Sequence, residues 1–224
     1  MEATLARLVR SGFTSLTERT KMYRLYDFLP SGNGYKVRLL LTQLEIPFER
    51  VEMDILKGET RTKEFLAKNP NGRIPVLEIQ PEQFLCESNA ILFYLSEGTE
   101  FFPNNSWERA QVMQWLFFEQ YSHEPNIATS RFWITELNLG KADKYQDALN
   151  QKRELGYAAL GVMDKHLTDH VFFVGERYTI ADIALFAYTH VAPEGGFDLT
   201  RFPAIQAWLE RVKGQPRHIT IAHS

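Results

Sequence analysis

Three short stretches of this 224-residue chain carry groups able to hold a small charged ligand. The first is Pro30-Ser31-Gly32-Asn33-Gly34, continued by Tyr35-Lys36-Val37-Arg38. Ser31 and Asn33 place a hydroxyl and an amide at the mouth of a predicted helix. Gly32 and Gly34 permit unusual backbone angles that would aim N–H groups at a ligand. The same residues equally suit a turn that caps its own helix. The second stretch is Glu87-Ser88, at the start of another predicted helix. A helix N-terminus offers unpaired N–H donors and partial positive charge, so it accepts a carboxylate. Ser88 adds a hydroxyl donor and Glu87 an acceptor for an ammonium group, although Ser88 is also a good N-cap. The third is Asn69-Pro70-Asn71-Gly72-Arg73-Ile74-Pro75. Arg73 can pair with a carboxylate through two hydrogen bonds. Pro75 lies between strand-forming residues, where a trans proline would only remove a ladder donor.

Other chemistries find less support. The single cysteine, Cys86, excludes an internal disulfide and a cysteine metal cluster. On a predicted strand it reads as a buried, inert thiol. The six histidines (123, 166, 170, 190, 218 and 223) lack tight metal spacing, and His166 and His170 read as a solvated helix face. No metal is expected. A net charge of -3 gives no basic surface for nucleic acid. No apolar run approaches the ~20 residues of a membrane span. The expected setting is the reducing cytoplasm.

The elements that must position these residues follow from periodicity. Residues 1–21 carry Arg7, Arg10, Arg19 and Lys21 against Glu2 and Glu18, resembling a weak organelle transit peptide. The preferred reading is an extension upstream of Met22, outside the fold. Residues 23–28 predict a strand. Val37, Leu40, Leu41 and Leu44 mark a helix with one buried stripe. Val51, Met53 and Ile55 alternate as a second strand, making a parallel crossover. A helix over 62–68, strands at 74–79 and 84–86, and a helix over 89–97 complete a β-α-β-α-β-β-α domain spanning 22–98. After a connector, residues 107–224 predict helices only. Asn105 and Glu108 form a capping pair, Thr179 and Asp182 a capping box, and Pro203 opens a last helix.

Residues 69–77 (NPNGRIPVL), 87–92 (ESNAIL) and 178–182 (YTIAD) resemble, in order and spacing, three signature segments of the glutathione transferase family. The resemblance covers residues 22 to about 215. It implies an α/β thioredoxin-like N-terminal domain, an all-α C-terminal domain, a homodimer, and a detoxification role. It implies no cofactor, with glutathione as co-substrate. The Ile74–Pro75 bond would be cis, exposing Ile74 backbone groups to the tripeptide's cysteinyl backbone. Ser88 and Glu87 would take its γ-glutamyl end and Arg73 its glycine carboxylate. Ser31 matches the activating serine of zeta, theta and phi types. The Ser-Gly-Asn-Gly run is also similar to the Thr-Pro-Asn-Gly run of nu-class enzymes, making Asn33 a second candidate for holding the thiolate. Tyr26 ranks below Ser31, because it is slightly out of register with the tyrosine of other classes.

The second-substrate pocket is expected to be apolar, between Ser31 and the first C-terminal helices. Phe118, Tyr121, His123 and Arg131 are its candidates, within the aromatic run that includes Phe117, Phe132 and Trp133. The leading expectation is conjugation of glutathione to a small hydrophobic electrophile. Alternatives are nu-like reduction of glutathione disulfides, zeta-like isomerisation, and a non-catalytic binding module.

Overall fold

The computed structural model describes residues 22–223, so the targeting-like reading of residues 1–21 lies outside it. The N-terminal half runs β1 (Tyr23–Asp27), α1 (Gly32–Gln43), β2 (Phe48–Glu52), α2 (Lys63–Lys68), β3 (Val76–Gln80), β4 (Gln83–Cys86) and α3 (Ser88–Ser96). The sheet order is β2-β1-β3-β4. β1 and β2 are parallel, with Tyr23 opposite Phe48, which makes α1 the crossover helix. β3 is antiparallel to both β1 and β4. This is the expected thioredoxin-like arrangement. The second strand lies earlier than its alternation predicted. Pairing with β1 ends at Asp27 opposite Glu52. Asp54 then accepts from the N–H groups of Leu56 and Lys57, opening a short 3₁₀ turn at Ile55.

The C-terminal half is helical: α4 (Ser106–Phe118), α5 (Glu124–Thr135), α6 (Asp143–Asp169), α7 (Ile180–Thr189) and α8 (Pro203–Lys213). Asn105 caps α4 by accepting from Trp107 and Glu108 N–H. The predicted capping box at Thr179 and Asp182 forms, and buried Asp182 also accepts from Trp208 Nε1 and Phe173 N–H. Burial raises the Asp182 carboxyl to about 6 against these hydrogen bonds.

α7 is buried along its whole length, and α1 nearly so. They pack together within one apolar cluster that includes Leu25 of the sheet and Phe186 of α7. A helix enclosed on every side must also bury its charged residues. α1 therefore buries Lys36 and Arg38, each with partners remote in sequence. Between α4 and α5 the chain makes a π-helical turn over Glu119–His123. Such a turn carries an extra residue and re-aims the side chains that follow. Among the described residues, no helix is long and apolar enough to cross a membrane.

Candidate functional site

The site grows from the loop between β1 and α1. Asp27 ends β1 with a buried carboxylate that accepts from Phe28 N–H (2.7 Å) and Arg38 Nε (2.8 Å). Arg38 also donates to Leu29 O (2.8 Å) and to the C-terminal carbonyls of Ile221 and His223. Burial raises Asp27 to about 6 and lowers Arg38, each partly offset by the other's charge. The loop that presents Ser31 is thus pinned from beneath. Ser31 caps α1, its hydroxyl oxygen accepting from Gly34 N–H at 3.4 Å. Gly32 and Gly34 are needed for space and not, as their sequence predicts, for unusual backbone angles. Neither has a positive φ. A Cβ on Gly34 would lie 1.5 Å from Asp27 Oδ1, and one on Gly32 would lie 2.6 Å from the Tyr188 ring.

Behind Asn33 stands a buried ammonium. Lys36 Nζ donates to Glu119 Oε1 (2.8 Å), Asn33 Oδ1 (2.9 Å) and Ser88 Oγ (3.3 Å). Both side chains of the Lys36–Glu119 pair are 0% exposed. Glu119 further accepts from Asn89 Nδ2 (2.9 Å) and Gln120 Nε2 (2.8 Å). Ser88 also donates to Asn33 Oδ1, at 3.3 Å. With its oxygen held on that side, the Asn33 amide turns its NH₂ outward, where it donates to Glu124 Oε1 at 3.3 Å. Asn33 N–H donates to the Tyr188 hydroxyl at 3.2 Å. Burial keeps that phenol far above its usual range, so it remains a donor.

The opposite wall comes from the turn before β3. Asn69 holds it by donating to Arg73 O (2.8 Å) and accepting from Asn71 N–H (3.0 Å). The Ile74–Pro75 bond is cis, and sheet pairing starts only at Val76, leaving Ile74 outside the ladder. Ser88 is the first residue of α3, and not its cap as predicted. Glu87 precedes the helix with φ 68°, a region sparsely populated by residues with a side chain.

These parts enclose two adjoining cavities. One, of about 60 Å³, is lined by Asn33, Asn69, Arg73, Ile74, Pro75, Glu87, Ser88, Gln120 and Glu124. The other, of about 470 Å³, shares Asn33, Arg73, Ile74 and Glu124, and adds Ser31, Arg131 and Tyr188. Ser31, Asn33, Arg73, Ile74, Pro75, Glu87 and Ser88 therefore converge on one cleft. The second-substrate candidates divide. Arg131 reaches the larger cavity with Phe132 and Trp133, but two of its donors serve Glu194 and Pro30 O. Phe118, Tyr121 and His123 line neither cavity. Phe118 packs edge-on against Trp115, and Tyr121 is 87% exposed. His123 turns inward to Thr189 at 2.8 Å, and burial lowers it to about 4. The cavity walls are also mixed and not apolar: Arg61, Glu124, Thr129 and Glu136 join Phe28 and Ile55. Tyr26 packs between Phe65 and Phe84 and donates to Glu78, away from the cleft. Burial raises the half-buried Cys86 thiol.

Lys36, Glu119, Glu124 and Tyr188 escape sequence reading. Their one local signal is that Lys36 and Arg38 interrupt the apolar face of α1, a pattern identical to a solvated flank.

Known proteins resemble this chain in sequence and in fold. The family profile "Glutathione S-transferase, N-terminal domain" matches residues 21–97, and "Glutathione S-transferase, C-terminal domain" matches 113–216. The Escherichia coli disulfide-bond oxidoreductase YfcG is 31% identical over 87% of this chain and 92% of its own. A glutathione S-transferase crystal structure from Pseudomonas fluorescens is 51% identical, covering 90% of this chain and 100% of that one, with TM-score 0.88. The Phanerochaete chrysosporium glutathione transferase URE2P8, solved with oxidized glutathione, is 26% identical over 88% of this chain and 91% of its own, with TM-score 0.78. Both domain profiles are matched in order and together span most of the sequence, so the chain belongs to the glutathione S-transferase family.

Proposed function

We propose that the chain binds glutathione in the paired cavities and holds its sulfur as a thiolate at the mouth of α1. The convergence of seven sequence-predicted residues on one cleft carries this reading. The γ-glutamyl group lies at Glu87 and Ser88, the cysteinyl backbone at Ile74, and the glycine carboxylate at Arg73. The sulfur then faces Ser31 and Asn33. A free thiol ionises near pH 8.5, and lowering that by two units takes about 2.7 kcal/mol. Donors from Ser31 and the Asn33 amide, beside the N-terminus of α1, are sufficient for it. The thiolate then attacks an electrophilic carbon. A second reading, reduction of glutathione mixed disulfides, is favoured by the charged cleft, where Arg61 and Arg131 can receive the carboxylates of a second glutathione. YfcG's designation agrees with it.

We place a second copy of the chain over the apolar groove between α3 and α4, a hollow of about 320 Å³ lined by Phe93, Met113, Leu116 and Phe117. Phe117 is 66% exposed there, and Trp107 on the same helix 70%. The chain is placed in the cytoplasm, where reduced glutathione is held. Retention on immobilised glutathione tests binding. Conjugation of an aromatic halide and reduction of hydroxyethyl disulfide separate the two activities. Absence of all three would leave only a binding scaffold.

A further inference from the structure

We propose that Glu124 is the general base that takes the proton from the glutathione thiol. This rests on the glutathione reading above. Forming a thiolate requires an acceptor for the thiol proton, and the cleft is poor in acceptors. Among the described residues, no histidine lines either cavity, and the lining carboxylates are Glu87, Glu124 and Glu136. Glu87 is exposed at the γ-glutamyl end. Glu136 lies just past the end of α5, about 18 Å along the helix from Glu124 at 1.5 Å per residue. Glu124 alone of the three lines both cavities and accepts from the Asn33 NH₂, at 3.3 Å.

That hydrogen bond ties the carboxylate to the sulfur position. An NH₂ group has two hydrogens, and acceptors on them stand about 5 Å apart, a gap one water spans. A sulfur on the free Asn33 hydrogen is then within one water, or one side-chain rotation, of Glu124. The placement is built by the fold. The π turn over Glu119–His123 sends Glu119 inward to Lys36 and leaves Glu124 facing the cleft at the start of α5.

The surrounding charges suit a proton acceptor. Lys36 and Asn33 of α1, Glu119 of the π turn, Arg73 before β3 and Tyr188 of α7 face Glu124. Burial first, then the Glu119 charge, raises its carboxyl above the usual range, opposed by Lys36, Asn33 and Arg73. A raised carboxyl is a better match for a thiol proton, and the neutral acid it becomes no longer repels the thiolate. In the step, the S–H bond breaks, its electron pair stays on sulfur, and an O–H bond forms on Glu124. With an aryl halide, sulfur bonds to the ring carbon, halide leaves with its pair, and Glu124 returns its proton to water.

The test compares wild type, Glu124→Gln and Glu124→Asp by melting temperature, affinity for S-methylglutathione, and kcat/KM against pH with whichever acceptor wild type turns over. S-methylglutathione lacks the thiol proton, so its affinity is expected to stay within threefold in Glu124→Gln. At pH 6.5, kcat/KM is expected to fall about 10²-fold. The deficit should shrink as pH approaches 9, because solvent then ionises the thiol directly. Glu124→Asp keeps a carboxyl and should keep the low-pH limb at a reduced rate, which also serves if the Gln variant does not fold. A pH-independent deficit, a deficit below threefold, a parallel loss of S-methylglutathione affinity, or loss of the limb in Glu124→Asp overturns the assignment and leaves the glutathione reading intact. Failure of the wild type to bind S-methylglutathione instead removes both.

Discussion

Replacing Lys36 by Met should destabilise the protein through the charge it leaves behind. Lys36 Nζ lies 2.8 Å from Glu119 Oε1, and both side chains are 0% exposed. Breaking one partner from a buried pair costs about 3–5 kcal/mol, because an uncompensated charge remains in a low dielectric. Glu119 keeps two donors, Asn89 Nδ2 and Gln120 Nε2. These place the expected loss near the lower end, about 3 kcal/mol. For a chain of this length, 1 kcal/mol corresponds to about 2–4 °C, so the melting temperature should drop about 6–12 °C. Lys36→Met with Glu119→Gln removes both charges and should recover at least half the loss, since neutral replacement of a buried pair is often close to neutral. Urea unfolding with an unchanged slope would measure the coupling directly. A single-variant loss under 1 kcal/mol, or a double variant no more stable than the single, refutes the reasoning. The single variant also leaves the Asn33 oxygen with Ser88 as its remaining donor, loosening the amide, so its glutathione-dependent rate should fall further than its stability explains.

Four other outcomes are expected. Gly34→Ala forces a methyl into the Asp27 carboxylate, where a Cβ would stand 1.5 Å from Oδ1. The loop must shift, and circular dichroism with glutathione retention should show a destabilised protein that no longer binds. Ser31→Ala should lose about 1 kcal/mol as a cap and about 10²-fold in kcat/KM, with little change in S-methylglutathione affinity. His123 is lowered to about 4 by burial, so the folded state disfavours its charged form. That stability is present above the unfolded pKa of about 6.5 and is lost as pH falls towards 4. The advantage of wild type over His123→Gln, read by urea titration, should therefore shrink by up to about 3 kcal/mol across that window. Phe117→Glu, in the exposed groove, should give a monomer by sedimentation if a second copy covers that face.

How far the molecule can be read from its residue order depends on how local each device is. The capping box at Thr179 and Asp182 closes within four residues, the parallel crossover follows from a strand–helix–strand pattern, and Ser31, Arg73, Ile74, Glu87 and Ser88 sit in short segments with recognisable turn chemistry. These were legible, together with the β/α half followed by the all-helical half. The register of β2 was not, because alternation at Val51, Met53 and Ile55 continues past the point where its partner strand ends. The pocket was legible on its N-terminal wall and, from the C-terminal half, at Arg131, Phe132 and Trp133. Lys36 meets Glu119 across 83 residues, Asn33 meets Glu124 across 91, and Tyr188 reaches the same loop across 155. No spacing rule links such positions. Lys36 on an isolated amphipathic helix is a solvated charge, and it becomes a buried ammonium only when α3 and the Glu119 turn close over it. Local patterns encode what a segment does with its own backbone. Which charges lose their water, and therefore which must find each other, is decided when the two halves pack.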